Sequence, residues 1–326
     1  MNDLTNYWQL PEYSNKPNFI ICGAMKSGTT TLHAILNEHP DVFIPNNEIH
    51  FFDMDNIIQH PDFNTFNGNE WYFNDISKTS EKYWQWYSSQ FDNASNGQLL
   101  GEDSTTYLAS PLAAERIALQ SSQPKIIIML RNPTSRAYSQ YWHLLRSGRA
   151  TYSFEDTLKY NPESLLTRSL YLSQLKSYFN CFPKNRMKIV IFEEFLANKL
   201  QHITDICSFI GIDIKTLPES VFSLHENQSR IPKYPYLQQQ KNRFFRAGGN
   251  NNYNAHFCNQ DLLKKPMTLT RLIDYSHRKI NPLIAVKPPK MKVSTKHFLD
   301  TYFKTELAGI NDLLGQDVLS LWFHDD

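Results

Sequence analysis

Asn18-Phe19-Ile20-Ile21-Cys22-Gly23-Ala24-Met25-Lys26-Ser27-Gly28-Thr29-Thr30-Thr31 is the stretch that decides the fold. Its first half is a short apolar run, the pattern of a strand buried on both faces. Its second half gathers a lysine, a glycine and three threonines. Beyond it, Leu32, Ile35 and Leu36 share one helical face of residues 27–39, and Pro40 closes the segment. Strand, glycine turn and helix thus follow one another directly. Free N–H groups at a helix start, backed by the helix dipole, form an anion site, and glycine allows close backbone approach. Lys26 adds a positive charge there, and the hydroxyls of Ser27, Thr29, Thr30 and Thr31 add donors.

The same alternation continues outward. Residues 99–103 read as a strand end and 111–120 as a helix. Lys125-Ile126-Ile127-Ile128-Met129-Leu130 is the clearest buried strand in the chain. Asn132-Pro133 follows at once, an N-cap residue with proline in the first helical position, so a helix should run to about residue 147. Residues 153–160 and 165–182 read as helices, 187–192 as a strand, and 203–210 as a helix stopped by Gly211. Strands alternating with helices predict an α/β fold in three layers, with a central, mostly parallel sheet. After about residue 227 the character changes. Residues 230–245 are rich in Lys, Gln and aromatics, 247–252 are a Gly/Asn-rich loop, and 261–280 and 295–314 read as helices. The expected layout is an N-terminal arm over 1–17 and one domain over 18–326. Residues 230–285, carrying Tyr234, Tyr236, Phe244 and Phe245, would form a lid or acceptor-site region.

Composition bounds the function. Among 326 residues, 41% hydrophobic and 20% charged is ordinary globular usage, which excludes a disordered or fibrous chain. Lys plus Arg (33) nearly balances Asp plus Glu (32), so nucleic acid is not an expected partner. No apolar run approaches the ~18–20 residues of a membrane span, and the N-terminus lacks a secretion-signal pattern. Four cysteines lie far apart without a CxxC pair, as suits buried thiols in a reducing compartment, and the cytoplasm is expected. Eleven histidines show no metal-ligand spacing, so no metal is expected.

A P-loop kinase needs GxxxxGK[ST], and no GK[ST] occurs anywhere in the chain; here the lysine precedes the second glycine. A second cluster lies at Leu130-Arg131-Asn132-Pro133-Thr134-Ser135-Arg136-Ala137-Tyr138-Ser139. An arginine fork at a strand end, with Ser139 about two turns into the next helix, suits a terminal phosphate. A third block is Pro45-Asn46-Asn47-Glu48-Ile49-His50-Phe51-Phe52-Asp53, and a fourth is Gly101-Glu102-Asp103-Ser104-Thr105-Thr106-Tyr107. Together these blocks resemble sulfotransferases that use 3′-phosphoadenylyl sulfate (PAPS), of the bacterial and heparan-type Golgi kind. The likeness is good over 18–225 and weak over 287–322.

The resemblance implies a role for each matched residue. The 23–31 loop resembles the 5′-phosphosulfate loop, and Arg131 with Ser139 the 3′-phosphate motif. Glu48 stands where the family has its proposed catalytic base, beside His50, which would orient the acceptor or share its proton. Lys26 would stabilise charge on the bridging oxygen. Lys287 and Lys290, in Lys287-Pro288-Pro289-Lys290, would belong to a C-terminal cofactor loop, although the glycine of many relatives is missing. Asp53, Asp103 and Tyr107 would face the acceptor. Two departures bear on that acceptor: Asn47 replaces the lysine before the base, and the Glu-Lys-Ser/Thr-Pro block reads Glu102-Asp103-Ser104-Thr105. Both remove positive charge, which disfavours a polyanionic glycan and points to a small neutral or cationic molecule bearing a hydroxyl or nitrogen. A glycan O-sulfotransferase and, further off, a nucleotide or small-molecule kinase are the alternatives.

Overall fold

Five parallel strands organise the chain: β1 (Phe19–Gly23), β2 (Val42–Phe43), β3 (Leu99–Asp103), β4 (Lys125–Leu130) and β5 (Met187–Ile191). Their order in the sheet is β2-β3-β1-β4-β5. β1 lies centrally, pairing Ile21 with Asp103 on one side and with Ile127 on the other. The chain first builds one half of the sheet and then crosses to the other. A topological switch point therefore falls at the carboxyl end of β1, where open α/β sheets bind their ligands. β1 is buried throughout and β4 nearly so, because helices cover both faces.

The computed structural model describes residues 7–12, 14–66, 68–223, 230–244 and 269–323. They divide into two compact units. The first comprises Met1–Asn64, Tyr72–Arg131 and Tyr171–Glu226 and holds the sheet. On one face, Phe19, Ile21, Ile127, Met129 and Val190 pack with Leu32, Ile35 and Leu36 of helix Thr29–Asn37 and with Ile203, Ile206 and Ile210 of helix Lys199–Ile210. On the other, Cys22 meets the Tyr178 hydroxyl of helix Tyr171–Cys181, which packs on helix Ala113–Ala118. The arm residues Trp8 and Leu10 are buried in this unit, with the Arg116 guanidinium 3.7 Å from the Trp8 ring centroid. Cys22, Cys181 and Cys207 are free thiols.

The second unit comprises Thr65–Trp71, Asn132–Leu170 and Asn227–Asp326. Asn132 caps helix Pro133–Arg146 through Ser135 N–H, as its sequence predicts. Two expected helices are each broken. Residues 165–182 split into Glu163–Leu166, a 3₁₀ turn at Thr167–Ser169, and Tyr171–Cys181 of the first unit. The cause is Arg136, which is fully buried and donates to the Leu165 carbonyl and the Ser169 hydroxyl. A buried guanidinium needs such acceptors, and a continuous helix would have used the carbonyl itself. Residues 295–314 split into Val293–Glu306 and Ile310–Leu314 around Gly309, whose φ of 92° is left-handed. The turn lets Leu307 and Ile310 both become fully buried.

In the 230–285 region, Arg230–Pro232 pairs antiparallel with Leu283–Ala285, and Pro235–Phe244 is helical. The buried Asn242 amide anchors that helix by donating to the Leu145 and Ala150 carbonyls at 2.8 and 2.9 Å. Tyr236 and Phe244 are exposed. The expected 247–252 loop, Phe245 and residues 261–268 lie outside the described residues; helix Leu269–Ile280 matches the rest of the expected 261–280 helix. Among the described residues no helix is long and apolar enough to cross a membrane.

Candidate active site

The candidate residues of the first unit gather at the carboxyl ends of β1, β3 and β4. After β1, the chain turns through Lys26 (φ 71°) and Gly28 (φ 91°) into helix Thr29–Asn37. Left-handed residues on either side of Ser27 at a helix start aim backbone N–H groups outward, and no side chain caps this helix. Gly28 is required on a second count: a Cβ there would stand 2.6 Å from the Phe192 ring. Ser27 is fully buried, and its hydroxyl has no hydrogen-bond partner among the described residues. Lys26 and Thr31 are half-buried, Thr29 is buried and Thr30 exposed. An unsatisfied buried donor beside a lysine and an uncapped helix start fits an anionic group such as a phosphosulfate.

Arg131 closes the loop from the end of β4. Its Nη1 donates to the Lys26 carbonyl at 3.1 Å, and its guanidinium lies 5.1 Å from the Phe192 ring centroid. Burial pulls its pKa below the usual arginine value without removing the charge. Ser139, Lys287 and Lys290 belong to the second unit. Ser139 sits half-buried on helix Pro133–Arg146, while Lys287 and Lys290 are exposed before helix Val293–Glu306.

Glu48 is an acceptor in the first unit. Its side chain is 24% exposed, and its Oε2 receives Thr105 N–H at 3.1 Å, the Thr105 hydroxyl at 2.8 Å, and His50 Nε2 at 3.3 Å. The segment carrying it is held from below. Ser104 Oγ accepts from Ile49 and His50 N–H, and the Tyr107 hydroxyl accepts from Phe51 and Phe52 N–H. Both hydroxyls donate to Glu102, as does Tyr87. Glu102 is thus a fully buried carboxyl that orients the acceptors of four consecutive backbone N–H groups. Burial pushes it up to about 7 against the three hydroxyl donors.

The three residues expected to face the acceptor, Tyr107, Asp53 and Asp103, are all buried. Tyr107 is fully buried, and its hydroxyl is committed to Glu102 and the 51–52 backbone, so it shapes the site from within. Asp53 is also fully buried and accepts from His60 Nε2 at 2.8 Å. Burial alone would raise its pKa, but His60, His50 and Thr106 outweigh it, leaving Asp53 below the usual carboxylate range. Asp103 is nearly buried too, turned onto His33 Nδ1 at 3.3 Å with its Oδ1 unpartnered among the described residues. Burial, reinforced by Glu48 and opposed by His33, lifts it to about 6.

His50, Asp53 and His60 bring their ligand atoms within 4.8 Å of one another, all buried. Two imidazoles and a carboxylate are a set that a transition ion accepts, which linear spacing had not suggested. Sequence reasoning also gave no role to His60, His33, Thr105, Thr106 or Glu102. His33 carried a faint signal, being one helical turn beyond Thr29. His60 carried none, because it reaches Asp53 through an irregular segment.

Three comparisons bear on this geometry. A family model described as the Sulfotransferase family matches residues 17–216. The mouse (Mus musculus) heparan sulfate glucosamine 3-O-sulfotransferase 5 is 29% identical over 225 residues, covering 66% of this chain and 58% of that protein. The human (Homo sapiens) bifunctional heparan sulfate N-deacetylase/N-sulfotransferase 2 is 30% identical over 211 residues, 60% of this chain and 22% of that one. This chain thus spans little more than half of the 3-O-sulfotransferase's length and far less of the bifunctional protein's. Among solved structures, a sulfotransferase from Alicyclobacillus acidocaldarius superposes with a TM-score of 0.61 at 25% identity, covering 94% of this chain and 99% of that one.

Proposed function

Since the chain belongs to the sulfotransferase family, we propose that it moves the sulfuryl group of PAPS to a hydroxyl or nitrogen of a small neutral or cationic acceptor, with Glu48 as general base. The observation that carries this reading is Glu48 itself: a partly exposed carboxylate, fixed by three donors, at the ligand-binding edge of the sheet. PAPS supplies the sulfuryl group and a good leaving group. Lys26, Ser27 and the start of helix Thr29–Asn37 hold the phosphosulfate and stabilise charge on the bridging oxygen as its bond to sulfur breaks. Arg131 serves the 3′-phosphate. Glu48 takes the proton from the acceptor O–H or N–H as the new bond to sulfur forms, and PAP departs.

The acceptor class follows from charge. Asn47 is exposed where the resembling block has lysine, and Asp103 is turned inward onto His33 where the other lysine would stand. Neither position offers a cation to a polyanion, while Glu48 would repel one. Free, buried Cys22 and Cys207 fit a reducing compartment such as the cytoplasm. A second reading, a glycan acceptor, is favoured by the relatives named for heparan sulfate. Turnover of labelled PAPS with a panel of small amines, alcohols, neutral sugars and heparan-like oligosaccharides decides. Small neutral or cationic molecules are expected to be sulfated, and Glu48→Gln to lose about 10²–10⁴-fold in kcat while retaining PAP binding. Efficient sulfation of the oligosaccharide, with amines and alcohols inert, overturns the small-molecule reading. PAP should raise the melting temperature without Mg²⁺; stabilisation only by ATP with Mg²⁺ would favour a kinase.

A further inference from the structure

The charge of this chain is unevenly distributed. Residues 230–292 hold thirteen Lys and Arg against two Asp, although the whole chain is near balance at +1. The rest is therefore acidic, and one segment of the second unit is strongly basic. The described part of that segment forms one substructure. Arg230–Pro232 pairs with Leu283–Ala285, and Tyr234 N–H donates to Asn281 Oδ1 at 2.7 Å. Lys241 Nζ lies 2.5 Å from Asp274 Oδ1, joining helix Pro235–Phe244 to helix Leu269–Ile280. Asp274 is the one acid among the described residues of the segment, and this ion pair commits it to Lys241. Lys233, Arg243, Arg278 and Lys279 are exposed.

Apolar side chains stand exposed among these cations. On helix Leu269–Ile280, Leu272, Tyr275 and Lys279 follow at i, i+3 and i+7, one outward face, with Ile280 exposed beside it. On helix Pro235–Phe244, buried Gln238 and Asn242 mark the inner face, and Tyr236 and Phe244 are exposed on the opposite side. Three exposed rings each have a cation close by. Lys233 Nζ lies 5.2 Å from the Tyr234 ring centroid, Lys279 Nζ 5.7 Å from that of Tyr275, and the Arg243 guanidinium 6.0 Å from that of Phe244. A ring with a cation beside it suits the edge of a bilayer, where the ring sits at headgroup depth and the cation meets phosphate. A polyanionic sugar or nucleic acid would engage the cations but leave Leu272 and Ile280 in water, and a second copy of this surface would bring like charge. We propose that residues 230–244 and 269–286 form a docking surface for an anionic phospholipid bilayer, which the protein meets without crossing.

This surface is independent of the reading of Glu48 and of PAPS, so either can fail alone. Co-sedimentation of the full chain with vesicles of phosphatidylcholine, or of phosphatidylcholine enriched in phosphatidylserine, tests it. The protein is expected to bind the phosphatidylserine vesicles, to leave them at high salt, and to ignore pure phosphatidylcholine. Each basic side chain near such a surface contributes roughly fivefold to partitioning, so Arg243→Glu with Lys279→Glu should weaken it more than about tenfold. Should that variant not fold, the milder Arg243→Gln with Lys279→Gln should still weaken binding in the same direction. Leu272→Ser and Ile280→Ser leave the charge unchanged and should weaken vesicle binding several-fold, with retention on heparin unaltered. Circular dichroism melting of each variant checks the fold. Failure to bind phosphatidylserine vesicles at low salt overturns the inference. So does vesicle binding indifferent to Leu272→Ser and Ile280→Ser with heparin or duplex DNA held as tightly, which would make the surface a site for a soluble polyanion.

Discussion

Thr105 gives Glu48 two hydrogen bonds to a single oxygen, its backbone N–H at 3.1 Å and its hydroxyl at 2.8 Å. The resembling block of heparan-type enzymes carries proline at this place, and a proline can supply neither bond. Thr105 is therefore a means of fixing Glu48 that this chain has and that block lacks. Hydrogen bonds to a charged group contribute about 1.5–3 kcal/mol each, so their removal should be graded. Thr105→Val keeps the N–H and should cost a modest fraction of kcat; Thr105→Pro removes both donors and should cost about tenfold more. Steady-state kinetics at saturating PAPS, with PAP affinity measured separately, checks the order. Equal rates in both variants would mean that the Thr105 N–H contributes nothing to holding Glu48.

The proposed phosphate side involves a different pair. Arg131 reaches back to the Lys26 carbonyl and packs over Phe192, so it both carries charge and braces the loop. Arg131→Ala should weaken PAP binding by about 2–4 kcal/mol, the range for truncating one partner of a buried charge pair. Arg131→Lys should recover only part of this, since a point charge replaces a planar fork. Calorimetry with PAP gives both numbers. Native affinity in the alanine variant would remove Arg131 from the phosphate site.

How much of this was legible in the sequence depends on the range of the signal. β4 is readable to the residue because six consecutive residues have one fate, burial between layers. The loop at 23–31 is readable because strand, glycine and helix are contiguous. Residues 165–182 read as an unbroken helix because the break is set elsewhere, by the hydrogen-bond demand of Arg136, whereas the break in 295–314 falls at its own Gly309. In the site, Glu48 and His50 stand in a recognisable block, but burial does not. Tyr107, Asp53 and Asp103 read as acceptor-facing polar residues, and only packing shows them turned inward. His60 and Glu102 work through partners on other segments, so no local pattern marks them.

The His50, Asp53 and His60 cluster leads to a prediction about metal removal. His60 Nε2 donates to Asp53, and His50 meets Thr106 and Glu48 through its two nitrogens. A metal ligand needs a lone pair, so binding an ion there would dismantle these bonds. Turnover should therefore survive exhaustive chelation, and added Zn²⁺ should inhibit rather than activate. Loss of activity in chelator, restored by a stoichiometric ion, would instead make the cluster a metal centre.

Glu102 ties stability to pH. Its pKa rises from 4.5 in the unfolded chain to about 7 in the fold, because burial outweighs three hydroxyl donors. The folded state therefore holds this proton more tightly, and the resulting stability is full below the unfolded value and is lost as pH rises through about 7. At 1.36 kcal/mol per unit, the swing is on the order of 3 kcal/mol. Asp103, lifted to about 6, acts in the same direction. Urea unfolding at about pH 5 and about pH 8 should show the protein weaker at the higher pH. Glu102→Gln, which cannot ionise, should lose much less between the two, although its absolute stability shifts as one hydroxyl partner must turn round. Comparing slopes rather than absolute values cancels every titrating group the two proteins share. A Glu102→Gln slope equal to that of the parent would mean that the buried carboxyl is ionised throughout this range, its three hydroxyl donors outweighing its burial.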